Sequence, residues 1–144
     1  MRVVLSPIIV HNNAGAGNNA GPAAQLTANQ ISELQASPLY IHPSESPTSV
    51  TITPLLTDSN YHVWARSMKR ALILKNKFCF VNGTIGILPP QDLNYDAWER
   101  CNNLVQSWLV SLISPPIAQT VVFLENEVDV WNELRERFSK ADRI

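Results

Sequence analysis

Between positions 56 and 72 large apolar residues recur at short steps, with Leu56 followed by Tyr61, Trp64, Met68 and Leu72. The last four fall on one face of a 3.6-residue helix, while Arg66, Lys69 and Arg70 lie largely off that stripe. The spacing predicts a helix from about Ser59 to Lys75, with Thr57 or Asp58 as its N-cap. Phe78-Cys79-Phe80-Val81 follows as a buried apolar run, and Asn82-Gly83 turns the chain away from it. A second helix is predicted from Asp92 or Asn94 to Ile113, on Tyr95, Trp98, Cys101, Val105, Trp108, Leu109 and Leu112. Ser114-Pro115-Pro116 stops it and restarts the chain, because proline suits a helix's first turn and not its interior. Residues 117–123 read as a short helix. A last helix opens near Asn126, with Val128, Trp131, Leu134 and Phe138 as its buried stripe. Acids in its first turn (Glu127, Asp129) and bases near its end (Arg137, Lys140) suit the helix dipole.

Upstream the pattern changes. Ser49-Val50-Thr51-Ile52-Thr53 alternates hydroxyl and β-branched residues, which predicts a short strand or extended arm ended by Pro54. Pro38, Pro43 and Pro47 keep the preceding stretch extended. Residues 12–24 are almost entirely Asn, Ala and Gly, and cannot bury enough apolar surface to offset roughly 1–2 kcal/mol of backbone entropy per ordered residue. The organisation expected is a disordered tail over 1–36, a Pro-rich arm with a short strand over 37–54, and a helical domain over 55–144. The fold class is mainly α, a small domain of roughly four helices.

Composition adds limits. An apolar fraction of 45% in 144 residues suffices for one core. A net charge of −1 gives no whole-chain argument for nucleic acid or membrane. Locally, Arg66, Lys69, Arg70, Lys75 and Lys77 form a basic run with no acid between positions 59 and 91. It is read first as a solvated face and second as an RNA or membrane contact, since clustered bases attract phosphate without sequence specificity. Glu125, Glu127, Asp129, Glu133 and Glu136 make an opposite patch, compatible with head-to-tail association or with ordinary surface charge.

Catalytic chemistry is weakly represented. His11, His42 and His62 are far apart, and His62 reads as a face residue. No Cys/His cluster has zinc spacing, and Cys79 and Cys101 read as reduced, buried thiols. No glycine-rich phosphate loop precedes a helix. Thr57-Asp58-Ser59 lacks the glycine an aspartic-protease triplet needs, since Asn60 follows. Asn82-Gly83-Thr84 fits a glycosylation sequon but reads as a turn. The apolar start, Val3-Val4-Leu5 and Ile8-Ile9-Val10, is broken by Ser6-Pro7 and lacks a cleavage region, so it is not read as a secretion signal. No run approaches a membrane span. The expectation is a cytoplasmic protein with no cofactor, no metal, no small-molecule substrate and no enzyme activity.

Read together, several short motifs resemble the N-terminal Gag region of plant copia-type LTR retrotransposons. They begin with Ser37-Pro38-Leu39-Tyr40-Ile41-His42-Pro43-Ser44-Glu45, then Leu56, Asn60-Tyr61, Trp64 and Met68. Lys75-Asn76-Lys77 and Phe80-Val81-Asn82-Gly83 follow, then Trp98 with Arg100-Cys101-Asn102, and Ser107-Trp108-Leu109. The set closes with Trp131-Asn132-Glu133-Leu134-Arg135-Glu136-Arg137-Phe138-Ser139. The resemblance implies a non-catalytic capsid-like module, with Leu56, Asn60, Tyr61, Trp64, Met68, Leu72, Phe80, Gly83, Trp98, Trp108, Leu109, Trp131, Leu134 and Phe138 as core and motif positions. Its implied partner is a second copy of itself, up to a particle around RNA. The family's Gag continues into further helices and often a zinc knuckle, so the chain reads as truncated and its RNA binding as weak. The alternatives are a domesticated nucleic-acid-binding or regulatory module on the basic helix face, and a remnant without function.

Overall fold

The computed structural model describes residues 25–141. Its elements are α1 (Ala28–Ala36), α2 (Tyr61–Leu74), a 3-10 turn (Phe78–Phe80), α3 (Tyr95–Ser111), α4 (Pro115–Val121) and α5 (Glu127–Phe138). The predicted mainly helical class is therefore what the chain adopts.

The apolar stripes build the core. Tyr61, Trp64, Met68 and Leu72 are all buried along α2, as are Trp98, Cys101, Val105, Trp108 and Leu109 along α3. Trp64 is the hub, its ring 6.1 Å from that of Trp131 on α5, which also meets Phe78 edge-on at 6.0 Å. Burying an indole requires a partner for its N–H. Trp64 Nε1 donates to the Leu112 carbonyl at 2.9 Å, and Trp108 Nε1 donates to the Ser46 carbonyl at 2.7 Å. The same Leu112 carbonyl accepts from Leu56 N, and Ser114 N donates to the Leu56 carbonyl. This single parallel bridge, Leu56 to Ile113, ties the entry to α2 to the exit from α3.

Several boundaries differ from the sequence reading. Helix α2 starts at Tyr61 with Asn60, not Thr57 or Asp58, at the N-cap. Asn60 Oδ1 accepts from Thr57 N at 2.7 Å and its Nδ2 donates to the Leu55 carbonyl at 2.9 Å, so this side chain clamps the 55–57 turn. Part of the expected tail, Ala28–Ala36, is helical, because Thr27 and Gln30 close a capping box. Residues 1–24 of that tail lie outside the described residues.

The expected strand over 49–53 is absent among the described residues. Its alternation is used differently, with Val50 and Ile52 packed against helices and no partner strand beside them. Helix α4 begins two residues before the predicted start, with Pro115 and Pro116 in its first turn, where their missing N–H groups cost nothing. On α5 the buried stripe includes Glu127 and Val130, while Val128 is only half-buried.

Helix α2 ends in a complete two-bond cap. Asn76 takes a left-handed φ of 56°, Lys77 N donates to the Leu72 carbonyl at 2.8 Å and Asn76 N to that of Ile73 at 3.0 Å. This Schellman geometry satisfies carbonyls a helix end leaves free, and it favours Gly or Asn at the left-handed position. Gly83 supplies the next reversal, with φ 81°.

Candidate interaction surfaces and buried charges

The five basic residues of the 66–77 run do not share one environment. Arg66, Lys69 and Arg70 are exposed on α2, with Lys69 Nζ 5.3 Å from the Phe78 ring centroid. Lys75 turns back to the arm and pairs with Glu45 Oε1 at 2.8 Å. Lys77 is only 4% exposed, and its Nζ donates to the Tyr40 carbonyl at 2.7 Å. Burial pushes the Lys77 ammonium below its ordinary pKa. The candidate phosphate-contacting set of five is thereby corrected to three. The physical reason is the α2 C-cap, which reverses the chain at Asn76 and swings Lys77 inward.

The opposite, acidic set divides in the same way. Glu125, Asp129 and Glu136 are exposed and Glu133 lies 4.0 Å from Arg137, but Glu127 is fully buried. Among the described residues neither Glu127 carboxyl oxygen has a hydrogen-bond partner. Its backbone N–H points to Asn102 Oδ1 at 3.4 Å, and Asn102 Nδ2 donates to the Glu125 carbonyl at 2.9 Å. Desolvation pushes the Glu127 carboxyl up to about 8, so it is mostly protonated at neutral pH. The dipole argument for Glu127 as a surface acid is therefore overturned. Its place at four and seven residues before Trp131 and Leu134 already put it on the buried stripe.

Two concave regions frame these groups. One, of about 270 Å³, lies between the arm and the end of α2 and includes Tyr40, His42, Glu45, Lys77 and Trp108. The other, of about 540 Å³, runs between the 87–90 loop, α3 and the α4–α5 linker. Its apolar walls are Ile87, Leu88, Trp98 and Phe123, and its charged members are Glu99 and Glu125, with no base. Phe123 is 71% exposed there, with Ile87 and Val122 about half exposed.

The motif positions assemble as one core. Leu56, Tyr61, Trp64, Met68, Leu72, Phe80, Trp98, Trp108, Leu109, Trp131, Leu134 and Phe138 are buried together, whereas Gly83 is an exposed turn and Asn60 a half-buried clamp. His62, expected as a solvated face residue, is exposed, with its Nε2 3.0 Å from the Ser139 carbonyl. The thiols of Cys79 and Cys101 are free, with Cys101 Sγ 3.3 Å from the Leu39 carbonyl. Burial raises both thiol pKa values, that of Cys101 to about 11. Among the described residues no three His, Cys, Asp or Glu side chains gather as a metal site, and no helix is long and apolar enough to cross a membrane.

Residues 42–87, from the arm through α2 to the 3-10 turn and the loop beyond it, match the family described as the Gag polypeptide of LTR copia-type elements. No curated protein and no solved structure gives a significant match.

Proposed function

We propose that this protein is a Gag-derived, non-catalytic structural module whose ancestral role is capsid-type self-association around element RNA, in the cytoplasm. The observation that carries this reading is the Gag match over 42–87, which includes the arm from His42 onward and all of α2. Large apolar side chains left outside the core support it, since exposed apolar surface beyond a few hundred Å² commonly marks an interface. On α2 these are Val63, Ile73 and Leu74, and elsewhere Leu93 and Phe123. The test is light scattering of the full chain after size exclusion, across concentration and salt. A discrete oligomer or particle supports the reading; a monomer at all concentrations overturns it.

A second reading has its own observation. Arg66, Lys69 and Arg70 are exposed on one helix and none of them forms an ion pair among the described residues. Salt-dependent RNA binding that falls when Lys69 and Arg70 are changed together to Gln supports a nucleic-acid module. Binding that Lys77→Gln reduces equally speaks against that surface, because Lys77 is buried.

A further inference from the structure

Two surfaces of the domain have no partner among the described residues, the groove beside α3 and the outer face of α2. We propose that they belong to each other across two molecules: α2 of a second copy lies in the groove, with its Arg66 and Arg70 against Glu99 and Glu125. Repeated, this contact joins copies head to tail.

The helix points to its own role. Val63, Arg66, Arg70, Ile73 and Leu74 fall within about 100° of the circumference of α2, almost directly across from the buried Tyr61, Trp64, Met68 and Leu72. All five are exposed, Leu74 to 86%, and they run about 16 Å along the helix. Apolar anchors at both ends with cations between them, at three- and four-residue steps, give the spacing by which a helix lies in an apolar groove. Charge selects the same pair of surfaces. Helix α2 carries no acid, and Arg66 and Arg70, about one turn apart, form no ion pair among the described residues. The groove combines Ile87, Trp98 and Phe123 with Glu99 and Glu125, and has no base. It therefore repels an anionic ligand and favours a cationic, apolar one, which is what the α2 face presents. The contact must also be between molecules. No α2 residue lines the groove, and the buried stripe fixes α2 in its own core with this face outward. Two different surfaces meeting in this way make a heterologous contact, which leaves one groove and one helix face open at the ends of an assembly.

The contact is one form of the self-association proposed above and rests on it, and the test separates the two. The full chain is prepared as a face variant, Arg70→Gln with Leu74→Gln, and as a groove variant, Phe123→Gln with Glu125→Gln. All four positions are exposed, so the far-UV CD spectrum and melting temperature should match the wild type. Should either misfold, Val63→Gln replaces the face pair and Ile87→Gln the groove pair. Analytical ultracentrifugation is expected to show a wild-type mass that climbs with concentration past a dimer. Each variant alone should associate at least about tenfold more weakly. Mixed in equal amounts, the two variants should form a dimer and nothing larger, since one intact face meets one intact groove and neither end can extend. A mixture no larger than its separate components would show that the two surfaces do not meet, and would overturn the contact. Variants that associate like the wild type would overturn it too, while leaving self-association through another surface. A wild type that stays monomeric at every concentration would overturn both.

Discussion

Replacing Glu127 by glutamine isolates the effect of one proton. In the folded chain the carboxyl titrates at about 8, against an ordinary value of 4.5 when unfolded. Between those values the folded state holds a proton that the unfolded state has released, so stability must fall as pH rises. It is fully present below the unfolded value and lost as pH climbs through the folded one. At about 1.36 kcal/mol per unit, the whole window corresponds to roughly 4–5 kcal/mol, of which about 3 kcal/mol is gone by pH 7. That is a large part of the roughly 5–15 kcal/mol by which domains are stable. Glu127→Gln keeps the shape and cannot ionise, so its curve lacks this loss. Urea unfolding followed by tryptophan fluorescence, at intervals from about pH 5 to 8, should show the variant gaining on the wild type by about 3 kcal/mol between the ends. The histidines and other acids are common to both proteins and cancel in the difference. Parallel curves across that range would show that the Glu127 carboxyl is solvated, and the burial argument would be wrong.

Three further outcomes are expected. Asn76→Val should lower stability by about 1–2 kcal/mol, because a β-branched residue resists the left-handed φ that ends α2, and an unchanged melting temperature would discount that cap. Asn102→Ala removes its bonds to the Glu125 carbonyl and the Glu127 N–H, leaving those of Gln106 to Val122 and Leu124, and should cost about 2 kcal/mol. Hydrogen exchange should then accelerate at Asn126 and Glu127; unaltered protection there would show that Asn102 is not the clamp. Trp131→Ala opens a cavity between Trp64 and Phe78 and should cost about 3–5 kcal/mol, so an unchanged far-UV spectrum and melting curve would contradict the packing.

The helices were legible where apolar spacing met a clear stop. Tyr61, Trp64, Met68 and Leu72 identified α2, and Pro115-Pro116 separated α3 from α4, since both signals are local. Helix α1 was missed because its composition looks featureless, although Thr27 and Gln30 stand at capping-box spacing. The strand was expected from alternation, which reports only that Val50 and Ile52 face inward and says nothing about a partner. The charged residues were the hardest to place. Lys77 looks like a surface charge in a linear run, and the chain reversal at Asn76, which no window of sequence contains, takes it inside. Glu127 was legible by its spacing to Trp131 and Leu134, but its charge argued for the surface.

The way the arm is fastened bears on how freely it can change. Asn76 Nδ2 grips the Ala36 carbonyl, Cys101 Sγ that of Leu39, Lys77 Nζ that of Tyr40 and Trp108 Nε1 that of Ser46. In each case the helical domain recognises a peptide oxygen, a group every residue carries. Identity at Tyr40 or Ser46 is therefore cheap to alter, while spacing is not: one residue inserted between them moves a carbonyl out of reach of its donor. Apart from Glu45, whose carboxylate pairs with Lys75, and the buried Leu39 and Val50, such a segment can drift in spelling over many generations provided that its length is kept.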